Sequence, residues 1–154
     1  IADELIEQLR DCWEQIAIAG SLRRRRPNVG DIDLVLIPAN GNRLLVRNRL
    51  WKIYGGKPEK FGDKYICLEN YHGIQVDVYV ADADTFATLL LIRTGSKEHN
   101  ILLAKRAREL DLHLNASGYG LTDMKSGKRI PIQTEAVLFA ALQMPYKEPW
   151  EREA

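Results

Sequence analysis

Apolar residues recur along the first segment at helical intervals, at Leu5, Leu9, Cys12 and Ile16, with charged residues between them. That spacing turns one stripe toward a core and predicts an amphipathic helix. The apolar run Ile16-Ala17-Ile18-Ala19 then reads as a strand that turns at Gly20-Ser21. A second strand is predicted over Asp31-Ile32-Asp33-Leu34-Val35-Leu36-Ile37, stopped by Pro38. Residues 42–54 predict a helix ended by Gly55-Gly56. Residues 64–70 and 74–80 predict two strands joined around His72-Gly73, most simply an antiparallel hairpin. A helix over 82–92, with Asp82 as its cap, is interrupted by Thr94-Gly95-Ser96. Ser96 can cap the next helix, whose apolar face is marked by Leu103, Ala107 and Leu110. A short strand pair over 119–121 and 129–132, turning at Ser126-Gly127, precedes a last helix over 134–144.

This order implies an α+β fold: a small mixed sheet with helices packed on it, then a mainly helical module after about residue 90, with Gly95 as the natural boundary. No repeat or low-complexity segment is present. A length of 154 residues fits one domain or two small subdomains sharing a core. The 45% apolar content is ordinary for a soluble protein, and no stretch approaches the length of a membrane span. Asp3, Glu4, Glu7, Asp11 and Glu14 make the first segment too acidic for a signal peptide.

Cys12 and Cys67 form no paired spacing and are expected reduced and buried, as in a cytosolic protein. His72, His99 and His113 make no zinc-binding pattern. The net charge of +1 says little, but its distribution says more. Arg23, Arg24, Arg25 and Arg26 are consecutive, and Arg93, Lys97, Lys105, Arg106 and Arg108 crowd a second stretch. Acidic residues gather at the start and in Glu148, Glu151 and Glu153. Local basic patches of this kind suit a polyanion.

Chemistry concentrates in three aspartates. On a strand, Asp31 and Asp33 point to one face, roughly 7 Å apart along it. If that face is desolvated, two such carboxylates cannot both stay ionised unless a cation sits between them. A hard divalent cation such as Mg²⁺ resolves the conflict. Asp77 lies on the opposite face of its strand from Val76, Val78 and Val80. If the two strands are neighbours, three carboxylates meet, enough for two metals. A lone D-x-D is common, and exposed strands carry aspartates for solubility; the pair gains weight from Asp77 and from Gly20-Ser21-Leu22-Arg23-Arg24 ahead of it. Gly20 at a strand end allows a sharp turn and close approach to a ligand. The N–H groups and hydroxyl after it can grip phosphate oxygens, and the arginines can add bidentate contacts. On its own the arginine run reads equally well as a solvated loop. Gly30, directly before Asp31, leaves room for close backbone approach.

The string Gly20-Ser21-Leu22-Arg23-Arg24, then Gly30-Asp31-Ile32-Asp33, then Val76-Asp77-Val78 resembles the nucleotidyltransferase signature of G-S, D-x-D and a later lone Asp. Thr94-Gly95-Ser96-Lys97-Glu98-His99-Asn100 resembles the T-G-S-x-x-x-N hinge of family X DNA polymerases. Leu114-Asn115 and the ending Met144-Pro145-Tyr146-Lys147-Glu148-Pro149-Trp150-Glu151-Arg152 resemble that family's thumb. The likeness runs from about Ile16 to Arg152. It implies a nucleotidyltransferase palm over residues 1–92 and a thumb over 93–154.

The resemblance also implies roles. Asp31, Asp33 and Asp77 are the catalytic metal ligands for two Mg²⁺ ions, with Mn²⁺ able to substitute. Ser21 and Arg24 hold the triphosphate beside Gly20, with Gly30 near its γ end. Gly95 and Ser96 form the hinge beside the incoming sugar, through a non-proline cis peptide bond, and Asn100 meets the minor-groove edge of the incoming base. The implied enzyme is a monomeric DNA-directed polymerase that adds dNMP from dNTP to a primer end, filling short gaps in DNA repair. Its partners are dNTP and primer-template or gapped DNA, and its place is the cytoplasm (the nucleoid in a bacterium).

Three departures stand out. Ile92 and Arg93 occupy positions where the family usually has an aromatic pair or His-Phe, which bears on sugar discrimination and offers Arg93 for a phosphate contact. Ala104 stands about where the family places a minor-groove arginine, with Lys105 and Arg106 beside it. Nothing upstream resembles the family's amino-terminal lyase module, so DNA binding is expected to be weak and salt-sensitive. A minimal enzyme and a piece of a longer protein both fit, the second being consistent with Ile1 in place of Met. Two other readings stay open: a nucleotidyltransferase acting without a template or on a small-molecule, protein or RNA acceptor, and a nucleic-acid binder that has lost catalysis.

Overall fold

The computed structural model describes residues 1–118 and 120–153. Its first half is a five-stranded sheet in the order β1-β2-β5-β4-β3, formed by β1 (Trp13–Ala19), β2 (Asp31–Pro38), β3 (Lys60–Phe61), β4 (Tyr65–Tyr71) and β5 (Ile74–Val80). β2 and β5 run parallel and all other pairs antiparallel, so the sheet is mixed. Two-residue alternation gives it two apolar faces. Helices α1 (Ala2–Gln8) and α3 (Arg43–Tyr54) cover one face, burying Leu5, Leu50, Leu34, Val76 and Val78. The other face packs Ala19 and Val35 against Phe86, Leu89 and Leu90 of α4 (Phe86–Thr94).

α4 is apolar nearly all round because it serves two cores. Its Ala87, Leu91 and Ile92 enter a second core built with α5 (Lys97–Glu109), α6 (Glu135–Ala141) and a three-stranded antiparallel sheet. That sheet is β6 (Leu112–Leu114), β7 (Leu121–Asp123) and β8 (Arg129–Ile130). The four-residue helix α2 (Gly20–Arg23) links β1 to the loop before β2. Among the described residues no helix is long and apolar enough to cross a membrane. Cys12 and Cys67 are both free and buried.

Several expectations need revision. The first helix closes at Gln8, Asp11 turns the chain with φ 72°, and β1 begins at Trp13, so Cys12 and Ile16 are not helical. Leu9 and Cys12 nonetheless reach the core from the turn. α4 starts at Phe86, with the Asp82 carboxylate accepting from the N–H groups of Asp84 and Thr85 in the turn before it. Strands β3 and β6 were not anticipated; each is very short. Tyr119, placed by sequence in a strand, lies outside the described residues, and the strand there starts at Leu121. The caps at Asn42, Ser96 and Thr134 each accept a backbone N–H bond three residues on.

Candidate active site

The parallel pairing of β2 with β5 puts Asp33 directly beside Asp77 and Asp31 beside Gln75. Neighbouring strands lie about 4.8 Å apart, so the three expected carboxylates share one face at one end of the sheet. Asp77 is buried, Asp33 half-buried and Asp31 exposed, which grades the cluster from the sheet interior to solvent. Burial, then the charges of Asp77 and Asp31, push the Asp33 carboxyl up to about 6, while Arg93 and Arg24 pull it partly back.

Asp77 is held from both sides. The Tyr65 hydroxyl donates to its Oδ1 at 2.6 Å, and Gln75 Nε2 donates to Oδ1 and Oδ2 at 3.2 and 3.1 Å. Each carboxylate oxygen accepts more than one bond, so these contacts orient the group and leave capacity for a cation. Tyr65 sits opposite Tyr79 across β4 and β5, ring centroids 5.2 Å apart. Burial is the main reason that both phenols titrate well above their usual range.

Gly20 is fixed by geometry rather than flexibility. Its φ is +65°, and a Cβ there would stand 2.1 Å from Asp33 Oδ2. Only glycine lets the G-S turn approach the carboxylate this closely. Ser21 is half-buried next to it on α2. Gly30, by contrast, is exposed, and a Cβ there would meet nothing.

The arginine run is not a solvated loop. Arg23 donates to Glu135 (Nη1 to Oε2 2.8 Å) and to Thr94 Oγ1 at 2.8 Å. Arg152, whose side chain is fully buried, donates to the same Glu135 oxygen at 2.7 Å. Burial of Glu135 opposes its ionisation, but the Arg23 hydrogen bond and the Arg152 charge outweigh it and hold the carboxyl below its usual value. Arg24, expected to hold triphosphate, donates Nε to Glu153 at 2.8 Å and Nη1 to the Thr94 carbonyl. Arg25 lies over Trp150, 3.6 Å from the ring centroid.

The hinge residues gather around the same junction. The Gly95-Ser96 peptide is cis, and Gly95 has φ +73° with Arg24 Nη1 close to where a Cβ would stand. Ser96 N–H donates to the Arg152 carbonyl at 2.8 Å and Ser96 Oγ to the Glu153 carbonyl at 3.0 Å. Asn100 Nδ2 donates to the Ile92 carbonyl at 2.8 Å, and its buried Oδ1 has no partner among the described residues. The structure therefore brings Gly20, Asp31, Asp33 and Asp77 together and sets Arg24, Gly95 and Ser96 in contact beside them. Asn100 stands one helical turn away, and Gly30 makes no close contact.

Sequence reasoning missed Tyr65, Gln75, Glu135 and Glu153. Tyr65 was findable from the hairpin register alone; Glu135, 112 residues from Arg23, was not. Among the described residues no group of three or more His, Cys, Asp or Glu side chains is placed to hold a metal ion as it stands. The donor set still suits a hard divalent cation. It is all carboxylate, and burial, then the charges of Asp77 and Asp31, raise Asp33.

Two comparisons bear on this arrangement. The family described as DNA polymerase beta thumb matches residues 89–153. The DNA polymerase/3'-5' exonuclease PolX of Bacillus subtilis (strain 168) is 30% identical over 159 aligned positions, covering 100% of this chain and 27% of that protein. The chain thus spans about a quarter of the length of the relative it matches.

Proposed function

Because the chain is family X DNA polymerase-like, with a polymerase beta-like palm and thumb, we propose that it transfers a dNMP from a dNTP to a primer 3′-hydroxyl. The reaction is in-line displacement of pyrophosphate, directed by a template and suited to filling short gaps in DNA repair. Residues 1–92 supply the palm and 93–154 the thumb. The carrying observation is the register that sets Asp33 beside Asp77, with Asp31 on the same face.

Asp31, Asp33 and Asp77 are the residues that would hold two Mg²⁺ ions, or Mn²⁺ in their place. Bound there, divalent cations would lower the pKa of the attacking hydroxyl and offset charge on the leaving phosphates. The chain's own groups do the rest. Tyr65 and Gln75 fix the direction of the Asp77 carboxylate. Gly20 brings the Ser21 hydroxyl and nearby N–H groups to the edge of the cluster, where Arg24 adds a cation for the triphosphate. Gly95 and Ser96 flank the sugar, and the unpartnered Asn100 Oδ1 is an acceptor available to a base edge. The expected setting is a monomer on gapped or primer-template DNA in the cytoplasm, at the nucleoid if the host is bacterial.

The test is primer extension on a one-nucleotide gapped duplex with Mg²⁺ and each dNTP in turn, beside Asp77→Ala. Incorporation should follow the template base and fall roughly 10²–10³-fold in the variant, the cost of losing a main electrostatic contact. Extension that ignores the template would replace this reading with terminal transfer. Silence with both Mg²⁺ and Mn²⁺ would turn attention to another acceptor or to a protein without catalysis.

A further inference from the structure

Helix α3 turns one stripe, Val46, Leu50, Ile53 and Tyr54, onto the sheet. The rest of its length carries Arg43, Arg47, Arg49 and Lys52 and no acid. Exposed helices are usually supported by pairs of opposite charge one turn apart; here like charges follow one another and repel. Arg43 donates to the Asp63 carbonyl, and Arg49 to the Gln8 and Arg10 carbonyls at the end of α1. Among the described residues no carboxylate stands within ion-pair distance of Arg47 or Lys52.

Apolar groups stand among these cations. Leu44 is 58% exposed and Leu45 36%, both in the first turn of the helix. The Arg47 guanidinium lies 4.6 Å from the Trp51 ring centroid, and Phe61 of β3 meets Trp51 edge-on at 5.5 Å. Lys57 Nζ in turn stands 4.8 Å from the Phe61 centroid. Two rings thus alternate with two cations at the surface, with Phe61 40% exposed. Leucine, tryptophan and arginine inside a rim of cations match the make-up of a protein-binding patch, where aromatic residues and arginine supply most of the affinity.

Charge selects the occupant. Carboxylates from outside would relieve the repulsion along α3. A nucleic-acid strand fits less well, because its phosphates make no use of Leu44 and Leu45. On the same side of the sheet, α1 also presents exposed Asp3, Glu4 and Glu7, which repel a polyanion long enough to cross both helices. We propose that the outer face of α3, together with Phe61, docks an acidic amphipathic helix of a partner protein. Its apolar stripe would lie on Leu44, Leu45 and the Trp51–Phe61 pair, and its carboxylates would meet Arg47, Lys52 and Lys57. The aspartate cluster is on the other face of the sheet, so this surface does not rest on the proposed reaction.

The probe is a fluorescein-labelled peptide of about 16 residues, long enough to hold a helix, with leucine at helical spacing and glutamate elsewhere. A peptide of the same composition in scrambled order and a single-stranded oligothymidylate serve as competitors, and binding is followed by anisotropy. The patterned peptide should bind at least about fivefold more tightly than the scrambled one, and the double variant Leu44→Glu/Lys52→Glu should weaken it more than about tenfold. Lys128→Glu, the same charge change on an exposed turn of the second module, should alter binding less than about twofold. In the unaltered protein the Trp51 indole signal in nitrogen–proton correlation spectra should move during the titration, which locates the peptide without any substitution. Equal binding of the two peptides, a Trp51 signal that stays still, or equal losses in the double variant and Lys128→Glu would overturn the proposal. Tighter binding of the oligothymidylate, lost in the double variant, would also overturn it and assign the face to nucleic acid.

Discussion

Two groups of arginines meet opposite surroundings. Arg23, Arg24 and Arg152 end on carboxylates: Glu135 receives Arg23 and Arg152, and Glu153 receives Arg24. Arg43, Arg93 and Arg129 line a cavity and end on no carboxylate among the described residues. The sequence makes Arg23 and Arg24 look like ligand-binding residues, because they are consecutive and follow the G-S turn. Both are instead engaged at the junction of the two modules. A buried guanidinium is costly unless paired, and the Arg23 and Arg24 pairs bridge α2 and its C-cap to α6 and the segment after it. Charge left open toward solvent is the better guide to what binds from outside.

The largest effect expected from breaking that contrast is at Glu135. Removing its carboxylate leaves Arg152, fully buried, and Arg23, mostly buried, without a counter-charge. Glu135→Ala should cost about 3–5 kcal/mol in urea unfolding followed by circular dichroism. Arg129→Ala, on the open group, should cost less than about 0.5 kcal/mol. Equal costs at the two positions would mean that the junction pairs contribute no more than surface charges do.

Acid should sharpen the same contrast. His99 is fully buried beside the junction, and neither ring nitrogen has a partner among the described residues. Burial, then the charges of Lys147 and Arg152, lower it to about 4 from 6.5. Between those values the unfolded chain binds a proton that the folded chain refuses. Stability therefore falls as pH drops from about 6.5 to about 4, by up to about 3 kcal/mol. Glu135 adds to this at lower pH. Its folded carboxyl titrates below 4.5, so its contribution is present above that value and lost as pH falls through the folded one. Unfolding midpoints from pH 7 to 4 should fall less steeply in His99→Leu. Parallel curves for both proteins would rule out the imidazole as the cause.

What the sequence made legible was local. β2, the β4–β5 hairpin, the Asn42 and Gly55 ends of α3 and the Ser96 cap of α5 follow from alternation, turn residues and side-chain acceptors within a few positions. The aspartate cluster was legible as a condition, since three carboxylates converge only if β2 and β5 are neighbours, and they are. The end of α1 was not, because Leu9 and Cys12 keep helical spacing while reaching the core from a turn. Strand β6, only three residues long, owes its existence to its pairing with β7. The partners of the arginines lie 112 and 129 positions away in Glu135 and Glu153, and no local pattern encodes such a pair.

Arg24 stands between the two groups, and Glu153 decides to which it belongs. The Glu153 side chain is 38% exposed, and its bond to Arg24 is one solvent-facing ion pair, with Arg26 a looser second partner at 3.9 Å. Such pairs contribute about 1 kcal/mol or less, so Glu153→Ala should lower the melting temperature by no more than about 4 °C. The backbone contacts from Ser96 to residues 152 and 153 survive the truncation, which keeps the segment in place. Arg24 would then retain only the Thr94 carbonyl and be free to take a phosphate. Calorimetric titration with dTTP and Ca²⁺ should show binding tightened by a few-fold in Glu153→Ala, since the carboxylate and the triphosphate compete for one guanidinium. Weaker binding instead would mean that Glu153 holds Arg24 in its working direction. That result would assign the pair to the nucleotide site and leave only the Glu135 pairs as structural.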